Sequence, residues 1–475
     1  MAQSPSLQRS LGVFSASTII IGSMIGSGIF IAPSIMAGLI ATPGVYLGLW
    51  ILGGVLTLLG ALAYGELCAR MPRAGGQYVF LREAFGPMVG FLYGWTLFLI
   101  IQTGFNAAVA IAFAKFLQGV GIATGEADLV LVLGPLTISR AQIVAVAVIA
   151  LLTAVNCRGV REGAFVQNLF TVLKICAVVL LAAIAFASGK GDAKNFLPLV
   201  GTALGPAGLG LGFLSAAGVA ISKALFAYDA WNSVTFVAEE IREPERNLPR
   251  ALLWGTVITT LTYVGACAAY LYILPLSRMA GVAENRVAAE VAGILMGRAG
   301  VIAVSIAILI STFGCENGLI LSGARVLYAM ARDGLFFRGC ARIHPTLHTP
   351  AAALVVQGIW SAVLALSGSY SRLLTYVTFA SLSFNALTVV GLFVLRRREV
   401  HVQRVDPEGR PVSSDSYRTW GYPLTPALYL LGAGFFILYI LLGDPVASLI
   451  GISLVAVGFP AYAIFRRRRA DLPGS

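Results

Sequence analysis

Gly22-Ser23-Met24-Ile25-Gly26-Ser27-Gly28-Ile29-Phe30 lies inside the first long apolar run of the chain, Leu11–Leu39, and sets three glycines into seven positions. A glycine costs a helix interior about 1 kcal/mol relative to alanine, so this clustering predicts a helix that stops and restarts. Small residues spaced like Gly22 and Gly26 also let helices pack closely, and the glycines alone fit either use. The surroundings narrow the choice. Of the 475 residues, 58% are hydrophobic and 11% charged, whereas a water-soluble domain carries about 25% charged residues. Apolar runs of roughly 20 residues, each able to cross a bilayer, recur about twelve times as far as Val446–Phe465. The chain therefore reads as one membrane domain with no separate soluble part.

The sixth run, Leu209–Ala238, contains Phe226-Ala227-Tyr228-Asp229-Ala230-Trp231-Asn232, an acid and an amide at membrane depth. Irregular backbone survives in a bilayer only where it is buried in protein or lines a cavity. The two interrupted runs stand five apart, and interruptions at matching places in two halves point to a transporter's central site. An odd repeat length forces the second half to insert upside down. The predicted fold is an all-α membrane protein of twelve transmembrane helices, with 5+5 inverted repeats and with helices 1 and 6 broken. Residues 1–398 would form the transport core of spans 1–10. Residues 399–475 would add a cytoplasmic loop, spans 11–12 and a basic C-terminal tail.

Arginines at positions such as Arg70, Arg73, Arg82, Arg158, Arg242, Arg250, Arg332 and Arg396 crowd the loops of one side. The opposite loops hold only Arg140, Lys190, Lys194, Arg278, Arg286, Arg298 and Arg372. Positively charged loops stay inside, which predicts a multi-pass cell-membrane protein with both termini cytoplasmic. The net charge of +12 is this asymmetry and no nucleic-acid footprint. The run Arg466–Arg469 reads as a topology determinant. The first apolar run is too long for the core of a signal peptide. None of the six cysteines has CxxC spacing, and Pro345 and Pro350 argue against a helical ligand pair at His344 and His348, so no metal or other cofactor is expected.

Breaking a helix exposes about four N–H groups on one side and four C=O groups on the other. The N–H end attracts anions and the C=O end cations. Two such ends around one cavity suit a zwitterion. Its carboxylate would meet N–H groups around Ser27, Gly28 and Ile29; its ammonium would meet carbonyls near Ile25 and Phe226-Ala227, with Gly26 also in the candidate binding site. A glycine-rich phosphate loop is excluded, because no lysine follows Gly26-Ser27-Gly28 in the required place.

Gly26-Ser27-Gly28-Ile29-Phe30 resembles the first-span motif of the amino acid–polyamine–organocation superfamily, and Pro72-Arg73-Ala74-Gly75-Gly76-Gln77-Tyr78 resembles that family's next cytoplasmic loop. Phe226–Asn232, followed by Glu239-Glu240-Ile241 and Asn247-Leu248-Pro249-Arg250, is similar to the L-type amino acid transporters in particular. The resemblance, spanning about Leu7 to Arg398, implies a leucine-transporter-type fold. It also implies facilitated or exchange transport of amino acids, expected to be sodium-independent because the Lys174 ammonium would occupy the cation site. A proton-coupled amino acid or polyamine symporter and a non-transporting amino-acid sensor would use the same fold.

Lys174 stands mid-span, where a cation costs about 2.5–3.5 kcal/mol and needs a partner or a role. In the resembling transporters a lysine here takes the place of sodium, bridging the first and eighth spans, which makes it the coupling candidate. Asp229 replaces the glycine of the commonest L-type pattern. Glu316, in the eighth span, has no counterpart in that pattern. Either acid in the cavity would favour a cationic side chain; paired with Lys223, Lys174 or Arg325 it would be neutralised. Gln102 and Asn106 share a helical face and fit either the cavity wall or interhelical bonding. Trp231 fits an aromatic gate or a packed core position, and Tyr228 and Asn232 complete the candidate site. Neutral L-amino acids are the expected substrates, with cationic ones second. An intramembrane aspartyl protease is excluded by the lack of a second embedded aspartate, and a channel by the lack of a repeated filter. The expected partners are the small-molecule substrate and the lipid bilayer. Animal L-type transporters use a cysteine between the third and fourth spans to join a heavy subunit; the loop Gly119–Ser139 has none, so no disulfide-linked subunit is expected.

Overall fold

The computed structural model describes Arg9 and residues 11–125, 127–133, 136–158, 161–199, 211–347, 349–367, 370–399, 417–443 and 445–470. His348, His401, Arg404, Arg410 and most of the expected cytoplasmic loop lie outside them. The described chain is helical almost throughout, because a backbone in hydrocarbon must satisfy its own hydrogen bonds. It runs through α1 (Val13–Met24), α2 (Gly28–Leu39), α3 (Pro43–Arg70), α4 (Gln77–Phe85), α5 (Pro87–Thr96) and α6 (Gln102–Leu117). A π-helical turn, Leu97–Ile101, joins α5 to α6. Then follow α7 (Arg140–Arg158), α8 (Arg161–Ala187), α9 (Leu211–Tyr228), the short α10 (Ser233–Phe236), α11 (Pro244–Ile273) and α12 (Leu276–Ala280). Last come α13 (Val287–Arg332), α14 (Ala351–Ser367), α15 (Tyr370–Glu399), α16 (Leu424–Gly443), α17 (Pro445–Ala456) and α18 (Gly458–Ala470).

Among the described residues, ten helical stretches are long and apolar enough to cross a membrane, and Ala216–Tyr228 and Ala351–Ser367 are shorter apolar helices. Local chemistry sets their limits. Pro43, Pro87 and Pro244 stand in the first turns of α3, α5 and α11, where proline's missing N–H costs nothing. Gly297, at φ 63°, ψ −153°, kinks α13 in its N-terminal third. The all-α expectation needs one correction. In the loop between α6 and α7, β1 (Leu129–Leu133) pairs antiparallel with β2 (Leu136–Ser139). The β-branched Val130, Val132, Thr137 and Ile138 favour extended backbone, and the run is too short to form a span.

The core forms where α1, α2 and α9 are enclosed by α3, α6, α8, α11 and α13. At the arginine-rich end, Glu66 of α3 is 1% exposed and binds Arg396 of α15 at 2.5 and 2.8 Å. It also accepts the backbone N–H of Thr419 at 2.8 Å and pairs with Arg70.

Candidate functional site

The last turn of α1 ends at Met24, and Ile25, Gly26 and Ser27 are non-helical before α2 begins at Gly28. This end is held by side chains from other helices. Lys174 Nζ on α8 donates to Gly22 O at 2.9 Å, Ile25 O at 3.0 Å and Ser311 O at 3.1 Å, so one buried ammonium joins α1 to α13. Three carbonyl oxygens match its three N–H groups. Ser311 Oγ donates to Ile25 O at 3.0 Å, and Cys315 Sγ to Ser23 O at 3.1 Å.

The second irregular stretch follows α9, with Asp229–Asn232 in turns before α10. Ala230 has φ 66°, an unusual left-handed conformation for a residue with a side chain. Asp229 Oδ1 accepts the Ala230 N–H at 2.8 Å and so stabilises the turn. The two stretches meet. The Tyr263 hydroxyl of α11 lies 2.6 Å from Met24 O and 2.9 Å from Ala227 O. Gly28 abuts the backbone of Ala227, where α2 and α9 touch.

Two small cavities flank Asp229. One, of about 20 Å³, is lined among others by Leu225, Tyr228, Asp229, Trp231, Asn385 and Tyr429. The other, of about 10 Å³, touches Gln102, Phe105, Asp229, Asn232, Phe236 and Ser381. Each has room for about one water molecule and neither for an amino acid, so the conformation is closed around this centre. Trp231, 3% exposed, packs edge-on against Tyr64 at 4.6 Å, and Phe226 stacks on Phe105 at 4.7 Å. Tyr228 donates to Trp50 O at 3.0 Å. Asn232 Nδ2 donates to Gln77 Oε1 at 2.7 Å, and Gln77 Nε2 to Thr388 Oγ1 at 3.1 Å. A larger cavity of about 310 Å³ lies elsewhere, among apolar residues of α15, α17 and α18 such as Phe384, Ile452 and Phe459, and holds none of these polar groups.

The structure thus gathers Gln102, Tyr228, Asp229, Trp231 and Asn232 around the cavities, with Phe226 one ring behind. Ile25, Gly26, Ser27, Gly28 and Ile29 form the neighbouring end of α2 and line neither cavity. Gln102 does both things open to it: it borders a cavity and its Nε2 donates to Leu319 O at 2.8 Å. Asn106 instead donates to Ser361 Oγ at 3.2 Å. Glu316 is fully buried on α13 and borders neither cavity. Arg325 neutralises neither acid, since it pairs with Glu240 at 3.3 Å. Among the described residues no group of histidine, cysteine and acid side chains could hold a metal. His344 is exposed and contacts Thr346.

Tyr263, Ser311 and Cys315 are the residues that the sequence reading misses. Each is an ordinary apolar-helix residue whose only signal is its contact with an α1 or α9 carbonyl. Below the cavities, Arg82 pairs with Asp333, and Tyr78 donates to the same carboxylate at 2.6 Å. Burial, reinforced by the Asp333 charge, pushes the Tyr78 hydroxyl well above its ordinary pKa, so it remains a donor.

Comparison with known proteins agrees with this architecture. The pattern of the amino acid permease family matches residues 11–461. The b(0,+)-type amino acid transporter 1 of Mus musculus is 29% identical over 404 residues, covering 84% of this chain and 78% of that protein. The serine/threonine exchanger SteT of Bacillus subtilis (strain 168) is 29% identical over 468 residues and 98% of both chains. The large neutral amino acids transporter small subunit 2 of Homo sapiens is 31% identical over 474 residues, or 96% of this chain and 80% of that one. With helices of membrane-crossing length, side-chain-held α1 and α9 ends and a match over nearly its whole length, the chain belongs to the amino acid permease family of the amino acid–polyamine–organocation superfamily.

Proposed function

We propose that this protein is a sodium-independent exchanger or facilitator of L-amino acids that works by alternating access. In this reading twelve spans cross the cell membrane with both termini cytoplasmic. Spans 1–10, within residues 1–398, form two inverted repeats with helices 1 and 6 broken; residues 399–475 add the last two spans and the basic tail. The single observation that carries the reading is the meeting of the α1–α2 and α9–α10 stretches at Gly28, Ala227 and Tyr263. An N–H-rich helix start and a C=O-rich helix end side by side suit a zwitterion. The names of the relatives, exchangers and transporters of amino acids, support the same substrate class.

Lys174 supports sodium independence, because its ammonium fills a cage of carbonyls that a metal cation would otherwise occupy. The aromatic and amide walls at Phe226, Trp231, Gln102 and Asn232 favour small or medium neutral side chains. Asp229, between the two cavities, favours a second set of cationic substrates. No disulfide-linked heavy subunit takes part in this reading.

The test is uptake of a labelled amino acid panel into proteoliposomes, with and without internal amino acid and with sodium or choline outside. Exchange that ignores sodium is expected; uptake that needs a sodium gradient would falsify the coupling. Competition with wild type and Asp229→Asn separates the substrate sets. Loss of arginine and lysine competition alone makes Asp229 a selectivity element, whereas equal loss for every substrate makes it structural. Competition by no amino acid of either kind sinks the assignment.

A further inference from the structure

Two polar layers cross the interior between α6, α13 and α14. In the first, Gln102 Nε2 donates to Leu319 O at 2.8 Å and Gln357 Nε2 to Ile320 O at 3.2 Å. In the second, a helical turn further out on α6 and α14, Asn106 Nδ2 donates to Ser361 Oγ at 3.2 Å. Helices α6 and α13 are antiparallel: Gly323 abuts Gln102, and Gly119 abuts Ser305. That register brings Glu316 level with about Ala108–Val109, outward of Asn106 on the same helix. Glu316 is fully buried, and neither of its carboxyl oxygens nor Asn106 Oδ1 has a hydrogen-bond partner among the described residues.

Acceptor oxygens without a donor, one of them on a carboxylate, are costly in a bilayer interior. A proton on Glu316 cancels the charge and leaves one fewer bare acceptor. Among the described residues no cation hydrogen-bonds Glu316 instead. On α8, Lys174 is spent on Gly22, Ile25 and Ser311. On α6, Lys115 is at the outer end beside Glu284 at 3.5 Å, and Arg325, on α13 itself, pairs with Glu240. Tyr93 on α5, Cys157 on α7 and Cys315 on α13 are neutral groups, and Arg140 and Arg158 stand at the two ends of α7. The Tyr263 hydroxyl on α11 faces Met24 and Ala227. Helices α1, α2, α10 and α14 carry no titratable residue.

Glu316 also sits beside the non-helical stretch between α1 and α2. Its neighbour Cys315 holds Ser23 O, and a Cβ on Gly26 would stand 2.7 Å from the Cys315 sulfur. Any shift of residues 25–27 against α13 therefore acts on the residue next to Glu316.

We propose that Glu316 is a proton-binding site of this carrier, protonated in the closed form and exchanging its proton with water as the 25–27 segment and α13 separate. Amino acid movement is then accompanied by proton movement. The O–H bond breaks to water on one side of the membrane and re-forms from water on the other, with no redox change. This coupling rests on the transport reading above, but the protonation of Glu316 does not.

Infrared spectroscopy of the purified protein in lipid at neutral pH tests the protonation directly. Wild type is expected to show a protonated-carboxyl C=O band that Glu316→Gln loses and Glu316→Asp retains, shifted. An unchanged band in Glu316→Gln means that Glu316 is ionised and overturns the proposal; if that variant does not fold, absence of a shift in Glu316→Asp does so. Proteoliposomes with an internal pH dye test the coupling. The ratio of protons to amino acids moved should fall at least about tenfold in Glu316→Gln. An unchanged ratio, or wild-type amino acid movement without proton movement, overturns it. If wild type moves no amino acid, the transport reading and the coupling fail together, while the infrared result still decides the proton site.

Discussion

Gly28 packs against Ala227 so closely that a Cβ on Gly28 would stand 2.6 Å from both the Cα and the Cβ of Ala227. The obstacle is backbone, which cannot swing aside as a long side chain can. Overpacking of this kind costs about 1–3 kcal/mol. Gly28→Ala is therefore expected to lower amino acid exchange in proteoliposomes by about tenfold or more. Gly38→Ala, in the same helix but with open space around it, should leave exchange unchanged. Equal rates for the two variants would show that the α2–α9 contact is not needed.

Lys174→Ala removes the donor from three buried carbonyls. Hydrogen bonds to a charged group contribute about 1.5–3 kcal/mol each. Exchange should fall about a hundredfold or more, with a monodisperse gel-filtration peak retained. Substantial exchange by this variant would rule out the coupling role.

Tyr263→Phe keeps the ring that packs between Trp50 and Tyr228 at 5.9 and 5.0 Å and deletes only the hydroxyl between Met24 O and Ala227 O. A lost buried partner costs about 1–3 kcal/mol. The expected result is a folded protein whose exchange rate drops at least about fivefold. A wild-type rate would mean that the bridge is incidental.

Arg325 and Glu240 are both nearly fully buried, at 1% and 5% exposure. Breaking such a pair from one side leaves a lone charge and costs about 3–5 kcal/mol. Glu240→Ala and Arg325→Ala should each lower the melting temperature in detergent clearly, and the double variant should lower it by less than their sum. Strict additivity would mean that the two residues act separately.

The membrane class and the family were legible in the sequence because hydrocarbon demands long apolar helices and because Gly26–Phe30 and Phe226–Asn232 are locally unusual. The residues around those stretches were not. Lys174 stands out as a charge at membrane depth, but Tyr263, Ser311 and Cys315 look like any small or aromatic residue in an apolar helix. Their importance lies in which carbonyl they reach, and that depends on helix register. The β-hairpin was hidden for a related reason: Leu129–Leu133 has the apolar content of a span without its length. Gln102 was legible as a cavity or packing residue, and its bond to Leu319 O shows that one amide can do both.

Glu66 has a consequence for a cut chain. Its carboxylate holds Arg396, near the end of α15, and the Thr419 backbone, just before α16. Cleavage between Glu399 and Tyr417 would therefore give two fragments still fastened to the same buried acid. The terminal fragment, bearing α16–α18, should travel with the remainder in mild detergent and part from it only on a denaturing gel. Glu66, with the packing of α16 on α3, α9 and α15, is thus expected to act as a clasp that outlasts a break in the chain between α15 and α16.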